Sequence, residues 1–544
     1  VTALWSLADA VGIERDYWDI YGQQHHLDAD TCARLLTSMG FDVANEEAAS
    51  RSLLDHTLRN WRRPLAPVKV LAAERDDHAV ELVAPADAPD TVMHWRLEQE
   101  DGLRHRGELR LGQLQEIERR IVDEQDRARY RLPLPPYLPL GYHDLRLTQI
   151  GDDATASMCR LIVAPDTCYP VAPHPTGKRH FGFAAQLYSL RSESNWGMGD
   201  FSDLAALARV AADQGATTLG LNPLHASYTG HAHHISPYSP SNRGFLNLAY
   251  IDVEAVADYN ACPGAQAHVA RDSFRAALQS ARESEQVDYG GVWQLKRDVL
   301  RQLFDHTNVC SRVGLSMGLY LDLAVGCDAG GAEVWADPAA FANGVSVGAP
   351  PDQLSPAGQA WGLTPLNPIT LEERAYEPFV RVLRENAHLA GTLRIDHVLG
   401  LKRQFWVLDG ERATSGCYVR QPLGLGMFPS EAQAHAARAQ RHDDRHRLLA
   451  ALVDAGTLPP DHGIDANNPE PTPQLLCAVQ GYLTASTGSL MVIPVEDLLG
   501  LEEQVNLPGT VDEHPNWRQK LPCSLTALFE QPLAQAMTER LRMG

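Results

Sequence analysis

The sequence predicts a multidomain protein: a short helical unit, a β-sandwich, and a large parallel α/β unit built as a barrel or a doubly wound sheet. Three observations carry this. The chain has 544 residues, well beyond one ordinary domain of roughly 100–200 residues. Its hydrophobic pattern changes twice, from helical spacing to short alternating runs and then to strand alternating with helix. Hydrophobic residues make up 44% and charged ones 21%, the balance of packed domains, which excludes a disordered chain.

From Leu4 to about Arg62 apolar residues recur at helical spacing, and Asp28 or Asp30 is placed to cap a helix that runs through Leu35 and stops near Gly40. Residues 1–62 therefore read as a helical region. Beyond Pro64 the pattern shortens into seven runs, VKVLAA, AVELVAP, TVMHWRLEQ, RGELRL, ARYRLPLP, GYHDLRLTQI and MCRLIVAP. Punctuated by Pro, Gly and Asp, they predict an antiparallel β-sandwich over 63–165. The Pro-rich stretch 166–178 reads as a linker, because proline favours extended backbone and keeps its neighbours from fusing.

From 179 to 544 strand and helix alternate. FGFAAQLYSL (181–190) leads to a helix capped by Asp200 and stopped by Gly215, and ATTLGLNPL (216–224) follows as a second buried strand. GLSMGLYLDLAVG (314–326), GTLRIDHVLGL (391–401) and SLMVIPVEDLLG (489–500) supply three more. Each ends in polar or charged groups, where the working residues of a barrel collect.

Acidic side chains number 69 against 47 basic ones, a net charge of −22. That charge repels nucleic acid and anionic membrane surfaces, so neither is expected as a partner and a neutral ligand is. No apolar run of about 20 residues occurs, and charges interrupt the apolar pattern at the start, so a soluble, cytoplasmic protein is expected. The nine cysteines stand singly with no CxxC pair, as reduced thiols and not zinc ligands. No metal site is expected either: His231, His233 and His234 share a loop without a nearby Cys or acid and read as polar cleft or surface residues.

The chemistry concentrates in LRIDHVLG (393–400). Asp396 ends an apolar strand between Arg394 and His397, cationic neighbours that favour an ionised carboxylate. A nucleophile, or a stabiliser of an oxocarbenium ion, needs that state. A strand-end salt bridge that only locks a loop is the competing reading, and spacing alone does not separate the two.

RIDH, with QLYSLRSESNWGMGDF (186–201), SPYSPSNRGFLN (236–247), YLDLAVGCDAGGAEVW (320–335), GAPPDQLSPAGQAWGLTPLNP (348–368) and NLPGTVDEHPNW (506–517), resembles the 4-α-glucanotransferases, or amylomaltases, of glycoside hydrolase family 77. The likeness is to the long bacterial form with an N-terminal extension. It implies a (β/α)8 barrel with insertions over 179–544, no cofactor, and maltooligosaccharides and α-1,4-glucans as partners. The implied reaction is a retaining double displacement that takes a glucan segment onto the enzyme and hands it to another sugar hydroxyl.

Matched motif by motif, the resemblance makes Asp396 the nucleophile and Arg394 the residue that orients it. Tyr238, with Ser236 beside it in SPYS, would lie against the donor sugar, where an aromatic face stacks on a pyranose. Gln359 and Trp361 fall in a loop resembling the family's lid, which keeps water from the glycosyl intermediate. His397, Asp328 and Asn506 join the substrate-binding residues, although extra glycines after Asp328 weaken its match.

The chain departs from the family at one place. A retaining enzyme needs a second carboxylate about 5–5.5 Å from the first. The family supplies it at a GEDLG-like strand end, with a third acid in a THDxPT-like segment, and neither segment is present. After GCYVR (416–420) the chain passes directly to QPLGLGMFPSEAQ, which resembles family sequence beyond both. Five strands where a barrel has eight imply about three βα units, on the order of 100 residues, missing near Arg420 and Gln421.

Glu496 and Asp497 imitate the missing acid motif, yet they precede NLPGT and match a later strand. Glu496 is therefore read as a structural or subsite residue more readily than as the acid/base. His442 and Asp443 read as the charged first turn of an amphipathic helix, and Glu502 and Glu503 as solvated. With the acid/base unassigned, two other classes stay open: a glucan-binding homologue without catalysis, and an α-glucan hydrolase.

Overall fold

Five parallel strands form the sheet that carries the site: β1 (His180–Ala185), β2 (Thr218–Leu221), β3 (Leu319–Leu323), β4 (Thr392–Ile395) and β5 (Leu490–Pro494). The coordinates are a computed structural model describing residues 2–300, 319–421 and 451–543, less 20–21, 76, 150–151, 168–179, 229–233, 257–258, 261, 353–354, 389, 456, 460–476, 481–482, 484–489, 508–509 and 511–513. These are the five strands expected from the sequence, in the spatial order β4-β3-β2-β1-β5. The order leaves β4 and β5 at opposite edges, so the described sheet is a half-barrel and does not close.

The strands read as unbroken apolar runs because both sheet faces are covered. Helix α1 (Phe201–Asp213) packs Leu204, Leu207, Ala208 and Ala211 into one core with Phe183, Leu219 and Leu321. Asp200 caps this helix by accepting from the backbone N–H groups of Ser202 and Asp203 in a reciprocal capping box. Gly215 ends it at φ +87°, where a side chain would be strained.

The β-sandwich is present with eight strands, one more than expected. One sheet orders Val68–Ala72, Asp152–Ala164, Gly141–Gln149, Val92–Glu98 and Arg104–Arg110, and the other Ala79–Pro85, Gln125–Pro133 and Gln115–Val122. Gln115–Val122 escaped the sequence reading because every residue from 115 to 121 is exposed, leaving no apolar alternation to read. The sandwich is not wholly antiparallel: Val68–Ala72 runs parallel to Asp152–Ala164. The expected linker lies outside the described residues from 168 onward.

The N-terminal region holds helices Ala3–Ala10, Ala29–Ser38 and Glu46–Leu58. Asp28, not Asp30, caps the second by accepting from Thr31 N–H at 2.9 Å. A hairpin of Asp16–Trp18 and Gln24–His26 interrupts the expected all-helical pattern. These elements share a core with another sheet: Leu7, Leu35 and Leu36 pack with Trp406, Leu408, Cys417 and Val419. That sheet is antiparallel in the order Cys327–Asp328, Gln359–Thr364, Val345–Ala349, Arg403–Leu408, Cys417–Arg420. The N-terminal region thus braces an insertion that borders the site. The described cysteines are all free, and no helix among the described residues is long and apolar enough to cross a membrane.

Trp406 is fully buried where the N-terminal helices meet this sheet. Trp406→Ala should destabilise the protein by about 3–5 kcal/mol, read as a lowered urea midpoint. Trp335→Ala, at a residue that is 84% exposed, should stay within about 0.5 kcal/mol of the parent.

Candidate active site

The site is built where β3 and β4 lie side by side. Their register sets Asp322 opposite Arg394, and alternation along β4 turns Arg394 and Asp396 to one face. Arg394 donates through Nη1 to Asp322 Oδ2 and through Nη2 to Asp396 Oδ1 at 2.8 Å. One guanidinium therefore spans two carboxylates.

Tyr238 OH donates to Asp322 Oδ2 at 2.8 Å, and Tyr238 N–H donates to Ser236 Oγ at 3.2 Å. The Tyr238 ring lies 5.1 Å from that of Trp517, tilted by 42°. Trp517 is held in turn by Tyr289, whose hydroxyl donates to its carbonyl at 2.6 Å. Asn516, one residue before it, accepts from Asn506 Nδ2 at 3.1 Å and from Leu507 N–H at 2.8 Å.

Burial divides the two carboxylates. The Asp322 side chain is 5% exposed and the Asp396 side chain 25%, so Asp396 is the one a ligand can reach. Burial pushes Asp322 up to about 6, against the charge of Arg394 and the hydrogen bond from Tyr238. Its Oδ1 is buried without a hydrogen-bond partner. For Arg394, burial works against the cation, but Asp322 and Asp396 outweigh it and hold the guanidinium charged. Burial, then the Asp322 charge, raises Tyr238, so its hydroxyl stays a donor. His397, at φ 47°, is pulled down by burial against the opposing charge of Asp396.

The structure gathers most of the sequence-predicted residues. Asp396, Arg394 and Tyr238 connect through Asp322, with Ser236 on Tyr238 and Asn506 behind Trp517. His397 meets Trp361 edge-on at 5.3 Å, and Trp361 Nε1 donates to Gln359 Oε1 at 3.0 Å. The lid expectation needs correction: Gln359 and Trp361 lie on the strand Gln359–Thr364, not in a free loop. Gln359 pairs with Ala349, and Trp361 stands at a register shift between the Gly348–Ala360 and Val347–Leu363 pairs.

Asp328 belongs to a neighbouring cluster. It accepts from Tyr228 OH at 2.7 Å and from Gly330 N–H at 2.9 Å, and His234 Nδ1 lies 3.6 Å away. The expectation that no acid stands near these histidines thus fails at His234, because Asp328 is distant in sequence. His231 and His233 lie outside the described residues, as do His442 and Asp443. No group of three potential metal ligands occurs among the described residues.

Glu496 opens the short helix Val495–Leu499 directly after β5. Burial, with a smaller push from Asp497, raises it to about 7. β5 and β4 are opposite edges of the sheet, with three strands between them, so Glu496 is not beside Asp396.

Sequence reasoning missed Asp322 and Trp517. The signal for Asp322 was a lone acid inside the apolar run of YLDLAVG, and Trp517 ends a segment already quoted for its motif. A cavity of about 50 Å3 bordered by Asp396, Arg243, His397 and Gln404 has room for waters and not for a sugar.

Comparison with known proteins adds three findings. The profile of the 4-alpha-glucanotransferase family, glycoside hydrolase 77, matches residues 185–314, 307–428 and 428–526, and that of the MalQ N-terminal beta sandwich domain matches 64–165. The chain is similar to 4-alpha-glucanotransferases of Haemophilus influenzae (28% identity, 76% of this chain and 85% of that protein) and Mycobacterium tuberculosis (26%, 99% and 98%). It also superposes on the crystal structure of amylomaltase from Corynebacterium glutamicum with a TM-score of 0.82 at 23% identity, covering 99% of each chain.

The mycobacterial alignment runs over 735 positions, 191 more than the 544 residues here, so at least that many positions face no residue of this chain. The shortfall exceeds the 100 or so residues inferred from strand counting, and the family match is broken at 307–314 as well as at 428. The first break falls in the crossover between β2 and β3, where added or lost chain leaves the strand count unchanged.

Asp322 keeps its proton to about 6 when folded and releases it near 4 when unfolded. The folded state therefore binds more protons between these values, and its stability falls as pH rises across them. Asp322→Asn should remove a fall of up to ~3 kcal/mol in unfolding free energy over that window. Urea unfolding at a series of pH values measures it; parallel profiles for the two proteins would trace the pH dependence to another group.

Proposed function

The chain belongs to the 4-alpha-glucanotransferase family of glycoside hydrolase 77, and from that premise we propose that Asp396 is the nucleophile of a retaining double displacement on α-1,4-glucans. The observation that carries the assignment is the Arg394 bridge. Of the two carboxylates it joins, Asp396 alone is exposed enough to meet an anomeric carbon. In the first step its oxygen bonds to that carbon while the glycosidic oxygen leaves with a proton from an acid. In the second, an acceptor hydroxyl displaces Asp396 and returns its proton to the same group.

Arg394 keeps the attacking oxygen oriented, with Asp322 and Tyr238 fixing Arg394 in turn. Tyr238 and Ser236 would face the donor sugar, with Asn506 supporting the neighbouring Trp517. Trp361, Gln359 and His397 would shield the intermediate from water, and Asp328 with Tyr228 would hold a more distant sugar. Maltooligosaccharides are the proposed partners.

We further propose that the five-stranded sheet is part of a (β/α)8 barrel occupying 179–544. The helical region 1–62, the sandwich 63–165 and the linker 166–178 would precede it. Relatives would complete the barrel, and carry the acid/base, in units placed between β4 and β5. Asp322 does not fill that role, because it is buried beneath Tyr238 and Arg394 and does not reach a glycosidic oxygen. The positions that face no residue here favour one second reading, a glucan-binding homologue without catalysis.

Maltotriose separates the readings. A ladder of longer glucans is expected, whereas growing reducing ends without longer products indicate hydrolysis, and binding without turnover indicates the non-catalytic homologue. α-Maltosyl fluoride tests the nucleophile apart from the acid, because fluoride leaves without protonation. Asp396→Asn should reduce turnover of both donors by roughly 10³-fold or more. A slow 2-fluoro analogue should label the peptide containing Asp396, and a label elsewhere removes the assignment.

A further inference from the structure

A second recess, of about 310 Å3, is bordered by three basic side chains, Arg191, Arg282 and Lys520. Each meets only neutral backbone. Arg191 Nη2 donates to Ser284 O at 3.1 Å, while its Nε is buried with no partner. Arg282 donates through Nε to Asn195 O at 2.7 Å and through Nη2 to Ser194 O at 3.0 Å. Lys520 Nζ donates to Ala281 O at 2.9 Å.

Among the described residues none of the three forms an ion pair, although the chain carries 69 acidic against 47 basic side chains. Glu193 also lines the recess without pairing to any of them. Elsewhere arginines commonly find carboxylates, as Arg243 does with Glu333 at 2.7 Å in full burial. Three uncompensated cations around one concavity are costly unless an anion joins them, since like charges repel more strongly away from water. The cost is visible at Lys520, which burial and then the nearby Arg191 charge lower to about 8.

We propose that this recess binds a phosphate-bearing anion, either inorganic phosphate or the phosphate monoester of a sugar. A tetrahedral dianion satisfies several cations at once, and the guanidinium fork matches phosphate oxygens in pairs. The hydroxyl of Ser524 at the same wall offers a neutral donor. The volume falls in the range of small-ligand sites and leaves space for a sugar beside the phosphate.

The recess is separate from Asp396 but shares a segment with the site. Leu521 N–H donates to Ser189 O at 3.0 Å, pinning the chain beside Lys520. Three residues earlier Trp517 packs on Tyr238. A ligand here would steady the segment that supports that ring.

Calorimetric titration of the full chain with inorganic phosphate and with glucose 1-phosphate, against sodium chloride at matched ionic strength, tests this. Saturable binding of one or both in the millimolar range or tighter is expected. Tighter binding of the ester would identify a sugar phosphate as the ligand, and equal or weaker binding would identify inorganic phosphate. Lys520→Gln should weaken binding about tenfold or more, and Lys520→Arg should retain it. Absence of saturable heat, or unchanged affinity in Lys520→Gln, overturns the proposal. A readout needing no variant is acylation of Lys520 followed by peptide mass spectrometry. Phosphate at about ten times its dissociation constant should slow it roughly tenfold while leaving exposed Lys69 unaffected, and equal rates with and without phosphate would also overturn the proposal.

Discussion

The site depends on one cation held between two carboxylates on adjacent parallel strands. Arg394 is placed by the β3–β4 register, and its planar fork reaches Asp322 with one nitrogen and Asp396 with the other. A lysine in its place would be a single point charge and could not fix both. A slip of one residue in the pairing would turn Arg394 and Asp396 to the opposite face and dissolve the bridge. Geometry alone does not distinguish the two acids. Burial does, because the Asp322 side chain is 5% exposed beneath Tyr238 and the Asp396 side chain is 25% exposed.

The support is itself supported from several parts of the chain. Tyr238 arrives on the segment after β2, and Trp517 arrives on the segment after β5. Tyr289 and Asn516 hold Trp517 by its backbone and its neighbour. Arg243 and Glu333 form a buried pair beside this region, in which burial opposes the Glu333 charge but Arg243 outweighs it and keeps the carboxylate ionised. Removing either partner would strand a buried charge, which is why such pairs resist substitution even when they add little net stability.

What the sequence made legible was what is local. The five sheet strands were readable because strands covered on both faces form apolar runs, and the cap at Asp200 because a cap is decided within three residues, which narrowed the other to Asp28 or Asp30. Asp396 and Arg394 were readable because they stand two residues apart. Asp322 was not, since its partner Arg394 lies 72 residues away and a lone acid in an apolar run gives no sign of what faces it. Trp361 and Gln359 were misplaced for a related reason: glycine and proline around them suggest a loop, and only pairing with Val345–Ala349 makes that stretch a strand. Gln115–Val122 shows the converse, an edge strand whose exposed residues carry no period to detect.

The half-barrel divides the chemistry along the same line. The described residues that position Asp396 come from β3, β4 and the segments after β2 and β5. Among the described residues the sheet ends at β4 and β5, and a retaining mechanism would need a second carboxylate about 5–5.5 Å from Asp396. Unpaired edges of parallel strands are normally covered, because their backbone groups otherwise bind whatever strand is near. Among the described residues no strand pairs with the outer edge of β4 or β5, so those edges need partners as the proposed mechanism needs an acid. A chain that filled those edges with strands would meet both needs together, since in a barrel the loops that follow the strands carry the catalytic groups.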